Sequence, residues 1–272
     1  MKVGVFDSGV GGLFVTRELA KVFPGCQFVF VADSLNFPYG TKSDGQLVAV
    51  VSNMINLLER MSVDVIVVAC NTASSVIERY DLTSNVELVS VIDANVQQIV
   101  ENGKTRNYVI LATKSTVNSQ IYTKKLRGCL GEEAAICEKS CSDLVSWIEE
   151  GECREPIAPK ELLRFIGDLS VQDQTTIVLG CTHFIPLRNA MRVLFPTALS
   201  VVDPVEKLKQ YLREVMKSET SRNSQPPLEI YATGDPAAFS IRAQAIIGNV
   251  CVRPIPFGTH CDVEVGPPRR QK

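Results

Sequence analysis

The chain has 272 residues, 45% hydrophobic and 21% charged, which points to about two packed domains and excludes intrinsic disorder. Twenty-eight basic residues against thirty acidic ones leave a net charge of −2, so no broad basic field exists to hold nucleic acid or an anionic membrane. The longest unbroken apolar run is Val65–Cys70, where a membrane span needs about 20 such residues.

In chain order the pattern alternates. MKVGVFDSG reads as a short strand, Lys2–Asp7, rather than a leader peptide. A glycine-rich turn follows, then a helical stretch with Leu13, Thr16, Leu19, Ala20 and Phe23 on one face. Gln27–Ala32 is a second apolar strand. Ser43 opens a helix with Gln46 as its capping-box partner, and Leu47, Val50, Val51, Met54, Leu58 and Met61 recur near a period of 3.6. Asp64–Ala69 is the clearest strand. Further strands are predicted at Glu87–Ile92, Tyr108–Ala112, Thr176–Leu179 and Leu228–Ala232, each set apart by helical pattern. Strands separated by helices imply parallel sheets with helices on both faces.

Two stretches resemble each other. DVIVVAC, ending at Cys70, and TTIVLGC, ending at Cys181, are apolar strands closing on a Cys and polar residues, 111 positions apart. VGVFD, ending at Asp7, and VILAT, ending at Thr113, form a weaker pair 106 apart. The offsets suggest a duplication. The expected fold is α/β, with two similar parallel-sheet domains about a pseudo-two-fold axis and the site in the cleft between them. The predicted domains are 1–93 with 207–272 rejoining it, and 94–206. Ser218–Pro227 reads as a linker, and Glu264–Lys272 as a frayed tail.

Nine cysteines, an odd number with no export signal, suggest thiols in a reducing cytosol. No C-x-x-C pair exists and only His183 and His260 could assist, so no metal is expected. Cys137 and Cys141 are spaced to share a helix face.

Parallel sheets place polar ligands beyond the carboxyl ends of their strands. Asp7 and Ser8, then Cys70, Asn71 and Thr72, then Cys181, Thr182 and His183 all follow apolar strands. Two thiols facing across a cleft suit inversion of a carbon that bears a hydrogen. One removes the proton as thiolate while the other returns it as thiol. Cysteine is also a common core residue, and each thiol alone reads that way. Asp7 is a candidate helper at one thiol and His183 at the other; a structural histidine is the alternative. The turn Asp7–Gly12 is readable as an anion-binding loop or as a tight turn. It lacks the third glycine of a dinucleotide fingerprint and the lysine of a P-loop. Tyr39, in Pro38-Tyr39-Gly40, is otherwise a packing residue.

Taken together, VGVFDSGVGGLFV (3–15), ADSLNFPYG (32–40), VVACNTAS (67–74), ATKSTVNSQIY (112–122), LGCTHFIPL (179–187) and YATGDPAAF (231–239) resemble the glutamate racemase family of the cofactor-independent aspartate/glutamate racemase superfamily. The resemblance implies Cys70 and Cys181 as the acid/base pair, supported by Asp7 and His183. It implies Asp7, Ser8, Tyr39, Gly40, Asn71, Thr72, Thr116, Thr182 and His183 as substrate contacts. A further glutamate is expected near the site, Glu149 in preference to Glu150. Also implied are no cofactor, glutamate as the small-molecule substrate, D-glutamate supply for peptidoglycan, a cytoplasmic location and a homodimer. Two segments depart from the family pattern: Val89–Asn95, which lacks its usual glycine and proline, and Val202–Lys207.

Other readings stay open at this point. They are aspartate as substrate, a hydrolase or decarboxylase using Cys181 with His183, a Schiff base on Lys114, and a carboxylate-binding protein without turnover.

Overall fold

Ten strands form two sheets among the described residues, and every strand pair is parallel. A computed structural model describes residues 1–103, 105–151, 158–167, 169, 171, 173–216 and 228–256. The linker Ser218–Pro227, the tail Glu264–Lys272 and His260 lie outside the described residues.

The first sheet holds β1 (Lys2–Asp7), β2 (Gln27–Ala32), β3 (Val65–Val68), β4 (Glu87–Ser90), β9 (Glu229–Ala232) and β10 (Val252–Pro254), in the order β10-β9-β2-β1-β3-β4. The second holds β5 (Asn107–Ala112), β6 (Ala135–Ser140), β7 (Thr175–Gly180) and β8 (Ser200–Val202), in the order β6-β5-β7-β8. The order β2-β1-β3-β4 thus repeats in β6-β5-β7-β8, and the α/β fold consists of two similar parallel sheets. The two motif pairs noted above are its equivalent strands, β1 with β5 and β3 with β7.

Strands covered on both faces read as unbroken apolar runs, which is why these were visible in the sequence. Val3 and Val5 of the first sheet share one core with Val109, Leu111, Ile177 and Leu179 of the second. Helix α1 (Gly11–Val22) contributes Leu13 and Leu19 to that core. The other face of the first sheet, with Phe6, Val31, Ile66 and Val68, packs on Leu47, Val51, Met54 and Leu58 of α2 (Asp44–Arg60). Helix α2 opens with the predicted capping box of Ser43 and Gln46. The other face of the second sheet, with Tyr108, Ile110 and Val178, is covered by α4 (Val91–Asn102) and α6 (Ile121–Leu130). Helix α3 (Asn71–Arg79) follows β3, and α5 (Lys114–Ser119) follows β5.

Several expectations need correction. The strand predicted over Glu87–Ile92 stops at Ser90, whose hydroxyl accepts from the backbone N–H groups of Ile92 and Asp93 and so starts α4. Strands β6 and β8 were not predicted. Cys137 and Cys141 share no helix: Cys137 lies in β6, and Cys141 precedes α7 (Ser142–Glu149). No described helix is long and apolar enough to cross a membrane.

The remaining helices are α8 (Pro159–Ile166), α9 (Arg188–Leu194), α10 (Val205–Val215) and α11 (Pro236–Ile247). Helices α8, α9 and α10 add Leu162, Met191 and Leu208 to the shared core, and α11 adds Phe239.

Candidate active site

In each sheet the chain leaves the central strand toward opposite sides, because β1 lies between β2 and β3, and β5 between β6 and β7. Such a switch point opens a crevice at the carboxyl ends of the strands. Asp7 and Ser8 stand there at the end of β1, and Cys70 just past β3. Thr113 stands there past β5, and Cys181 past β7.

The two crevices meet in one cavity of about 220 Å³. Cys70 and Cys181 both line it, with Asp7, Ser8, Tyr39, Gly40, Asn71, Thr72, Thr182 and His183. The two thiols are 7% and 5% exposed, so both are largely shielded from bulk water yet open on the cavity.

On the second-sheet side the side chains form a line. Cys181 Sγ lies 3.7 Å from His183 Nδ1, and His183 Nε2 lies 2.8 Å from Glu149 Oε2. Glu149 Oε2 also accepts from the Val10 backbone N–H at 2.9 Å, at the start of α1. That position suits a carboxylate, since the helix N-terminus carries partial positive charge. Arg242 of α11 faces the other oxygen, with Nε 3.5 Å from Oε1. Burial works against a charged His183, but Cys181 and Glu149 outweigh it and hold the imidazole well above its ordinary range. Burial likewise opposes charge on Glu149, yet His183, the Val10 N–H and Arg242 bring its carboxyl below the usual range.

On the first-sheet side, Ser8 Oγ lies 4.0 Å from Cys70 Sγ and 3.3 Å from Asp7 Oδ1. Asp7 Oδ1 accepts from the backbone N–H groups of Ser8 and Gly9, and Oδ2 accepts from Thr182 Oγ1 at 2.7 Å. Burial pushes the Asp7 carboxyl up in spite of these bonds and of His183. Burial and then the Asp7 charge push the Cys70 thiol far up, so Cys70 is protonated at neutral pH.

The glycines of the first turn are there to make room. A Cβ on Gly11 would lie 2.4 Å from His183 Nδ1, and one on Gly9 would lie 2.4 Å from Glu149 Oε2. The turn's N–H groups do meet anions, but these are Asp7 and Glu149 of the same chain.

Residues 11–211 match the Asp/Glu/Hydantoin racemase family. The chain belongs to that family. A glutamate racemase of Hydrogenobaculum sp. is 30% identical over 251 residues, 92% of this chain and 94% of that one. The crystal structure of glutamate racemase from Thermus thermophilus, in complex with beta-chloro-D-alanine, superposes with a TM-score of 0.79 at 28% identity, covering 93% of this chain and 96% of that one. The glutamate racemase structure from Aquifex pyrophilus gives 0.74 at 29% identity, covering 94% and 98%.

Against this racemase frame, two expected site residues stand back from the cavity. Glu149 lies behind His183, and Thr116 lies behind Thr72 and Thr113, bonded to their hydroxyls at 3.4 and 3.0 Å. Glu149 is buried, whereas the neighbouring Glu150 is exposed. Tyr39 lines the cavity but donates its hydroxyl to Asp33 Oδ2 at 2.7 Å. Lys114 stands on the lining too, exposed.

The sequence reading missed Phe37, Thr113, Asp143 and Val145 in the lining, and Arg242 behind Glu149. Thr113 had a signal, because the duplication aligns it with Asp7. The others carry none, since they reach the site through tertiary packing alone.

Proposed function

We propose that the chain racemises glutamate without a cofactor, by proton transfer between two thiols. The observation that carries this is the pair Cys70 and Cys181 on the wall of one small cavity. One thiolate takes the α-hydrogen, and negative charge spreads into the α-carboxylate. The opposite thiol then delivers a proton to the other face, and the spent thiol and thiolate exchange roles for the reverse reaction.

The geometry divides the labour. Glu149 keeps His183 charged, and that imidazole lies 3.7 Å from Cys181 Sγ. Cys70 holds its proton and is the acid of the resting pair. Asp7 faces the site as the partner for the substrate ammonium, whose positive charge would ease ionisation of Cys70. Thr72 supplies a hydroxyl donor for a carboxylate oxygen, while the Thr182 hydroxyl is committed to Asp7.

Glutamate, rather than aspartate, is chosen because the relatives named above are glutamate racemases. The same family supports D-glutamate supply for peptidoglycan, a cytoplasmic setting and a homodimer. The two sheets support a division into lobes 1–93 with 207–272, and 94–206.

The test is conversion of each glutamate enantiomer by purified, colourless protein in D2O. Deuterium should enter the α position of both. No exchange and no inversion by folded protein would refute the proposal. Aspartate assayed in parallel decides the substrate.

One observation favours a second reading. Cys181, His183 and Glu149 line up as a nucleophile, base and orienting acid do. A covalent adduct trapped on Cys181 during turnover would support a hydrolytic activity. The two-thiol reading predicts none.

A further inference from the structure

Asn71 lies on the cavity wall, 2% exposed, and its Nδ2 has no hydrogen-bond partner within the protein. Its Oδ1 lies 2.7 Å from the Tyr122 hydroxyl. Tyr122 belongs to α6 and is fully buried. The same hydroxyl lies 2.8 Å from Nδ2 of Asn95, a buried residue of α4. That nitrogen also faces the backbone carbonyl of Leu179 in β7, at 3.5 Å.

The direction of donation along this chain follows from the carbonyl. A carbonyl only accepts, so the end of Asn95 turned toward Leu179 is the NH2. The Tyr122 oxygen therefore accepts from Asn95, and its one hydrogen goes to Asn71. The atom of Asn71 that receives it must be Oδ1, which turns the NH2 the other way.

We infer that Asn95 and Tyr122 are positioning residues that lock the Asn71 amide with its NH2 toward the bound molecule, so this subsite takes a carboxylate oxygen and not the ammonium. The inference rests on the reading of the cavity as an amino-acid site. It also accounts for an otherwise costly residue. Asn95 is fully buried, and its Oδ1 has no partner. A side chain kept for packing alone would be better apolar.

The experiment measures KM and kcat for wild type, Tyr122→Phe, Asn95→Ala, Asn71→Ala and the double variant Tyr122→Phe/Asn71→Ala. Tyr122→Phe frees the amide to turn, and the loss of its binding-competent orientation should raise KM about three- to tenfold. Its kcat should fall less than KM rises. Asn95→Ala should act in the same direction by a smaller factor. With Asn71 already removed, Tyr122→Phe should change KM no further, an outcome a purely structural role for Tyr122 would not produce. An unchanged KM in Tyr122→Phe, or a full additional rise in the double variant, overturns the inference. If Tyr122→Phe loses its fold by thermal melting, Asn95→Ala decides in its place. Wild-type turnover tests the racemase reading separately. If the wild type binds glutamate without turning it over, calorimetric Kd ratios replace KM. If it neither turns over nor binds glutamate or aspartate, the underlying reading fails instead.

Discussion

Glu149→Gln tests the line behind Cys181 with little change of shape. In the native chain Glu149 Oε2 holds His183 Nε2 at 2.8 Å, with both side chains almost wholly buried. Gln keeps the carbonyl oxygen as an acceptor for His183 and for the Val10 N–H, but loses the charge. Breaking a buried ion pair costs about 3–5 kcal/mol when the orphaned charge must stay. Here the imidazole can release its proton, so the stability loss should stop short of that figure. The measured consequence is a fall in the His183 pKa, because burial then opposes the charge with one counter-charge fewer. Each unit of that fall is about 1.4 kcal/mol of charge stabilisation removed from the site.

With the positive charge beside Cys181 removed, kcat should drop about 10- to 100-fold. KM should change little, since Glu149 does not line the cavity. The chain has two histidines, so an NMR titration of the imidazole protons follows His183 directly. The control is Glu150→Gln, at an exposed neighbour, which should leave kcat and the titration unchanged. Wild-type kcat in Glu149→Gln, or an equal loss in Glu150→Gln, would refute the assignment of Glu149 as the residue that keeps His183 charged.

Cys70→Ser and Cys181→Ser should each lower racemisation by at least about 10³-fold, since a hydroxyl is far too weak an acid to replace a thiol. A variant that keeps normal turnover rules out a symmetric pair. Gly11→Ala should abolish activity and lower the melting temperature, because its Cβ would meet His183 Nδ1 at 2.4 Å and Thr182 Oγ1 at 2.6 Å; a fully active Gly11→Ala protein contradicts the packing described. Stability should vary with pH through the buried pair. The His183 contribution is complete below its unfolded value of 6.5 and is lost as pH rises through its raised folded value. The Glu149 contribution is complete above 4.5 and is lost as pH falls through its lowered folded value. Denaturant unfolding across pH should therefore find the pair's full contribution between about 4.5 and 6.5, and Glu149→Gln should flatten that plateau.

Much of the frame was legible because it is made of strands covered on both faces. Val65–Val68 and Thr175–Gly180 are buried throughout and read as continuous apolar runs. The edge strands of the second sheet were not legible, because they lack such a run. β6 is half exposed and mixes Glu and Lys with its apolar residues, and β8 has three residues. The two thiols stood out because duplicated strands place them at equivalent ends. The glycine turn was visible, but its purpose was not, because the atoms it makes room for come from positions 149 and 182–183. The choice of Glu149 over Glu150 is likewise tertiary: α7 turns one into the interior and the other out. Asn95, Tyr122 and Arg242 reach the site across helices whose packing no local spacing encodes.

The surroundings of the thiols differ more than their strands do. Cys181 meets a charged imidazole backed by Glu149 and Arg242, while Cys70 meets a serine and an aspartate. The proposed two-thiol racemisation tolerates this inequality. Enantiomers have equal free energy in water, so kcat/KM must be the same in both directions whatever residues flank each thiol. The difference is free to appear in kcat and KM separately. Of the two sulfurs, only that of Cys181 has a cation between itself and the neighbouring carboxylate. Cys70 and Cys181 stand at equivalent strand ends of the two sheets, on one cavity. Those ends are flanked unequally, by a histidine beside Cys181 and an aspartate beside Cys70, so the two proposed proton transfers need not be equally easy.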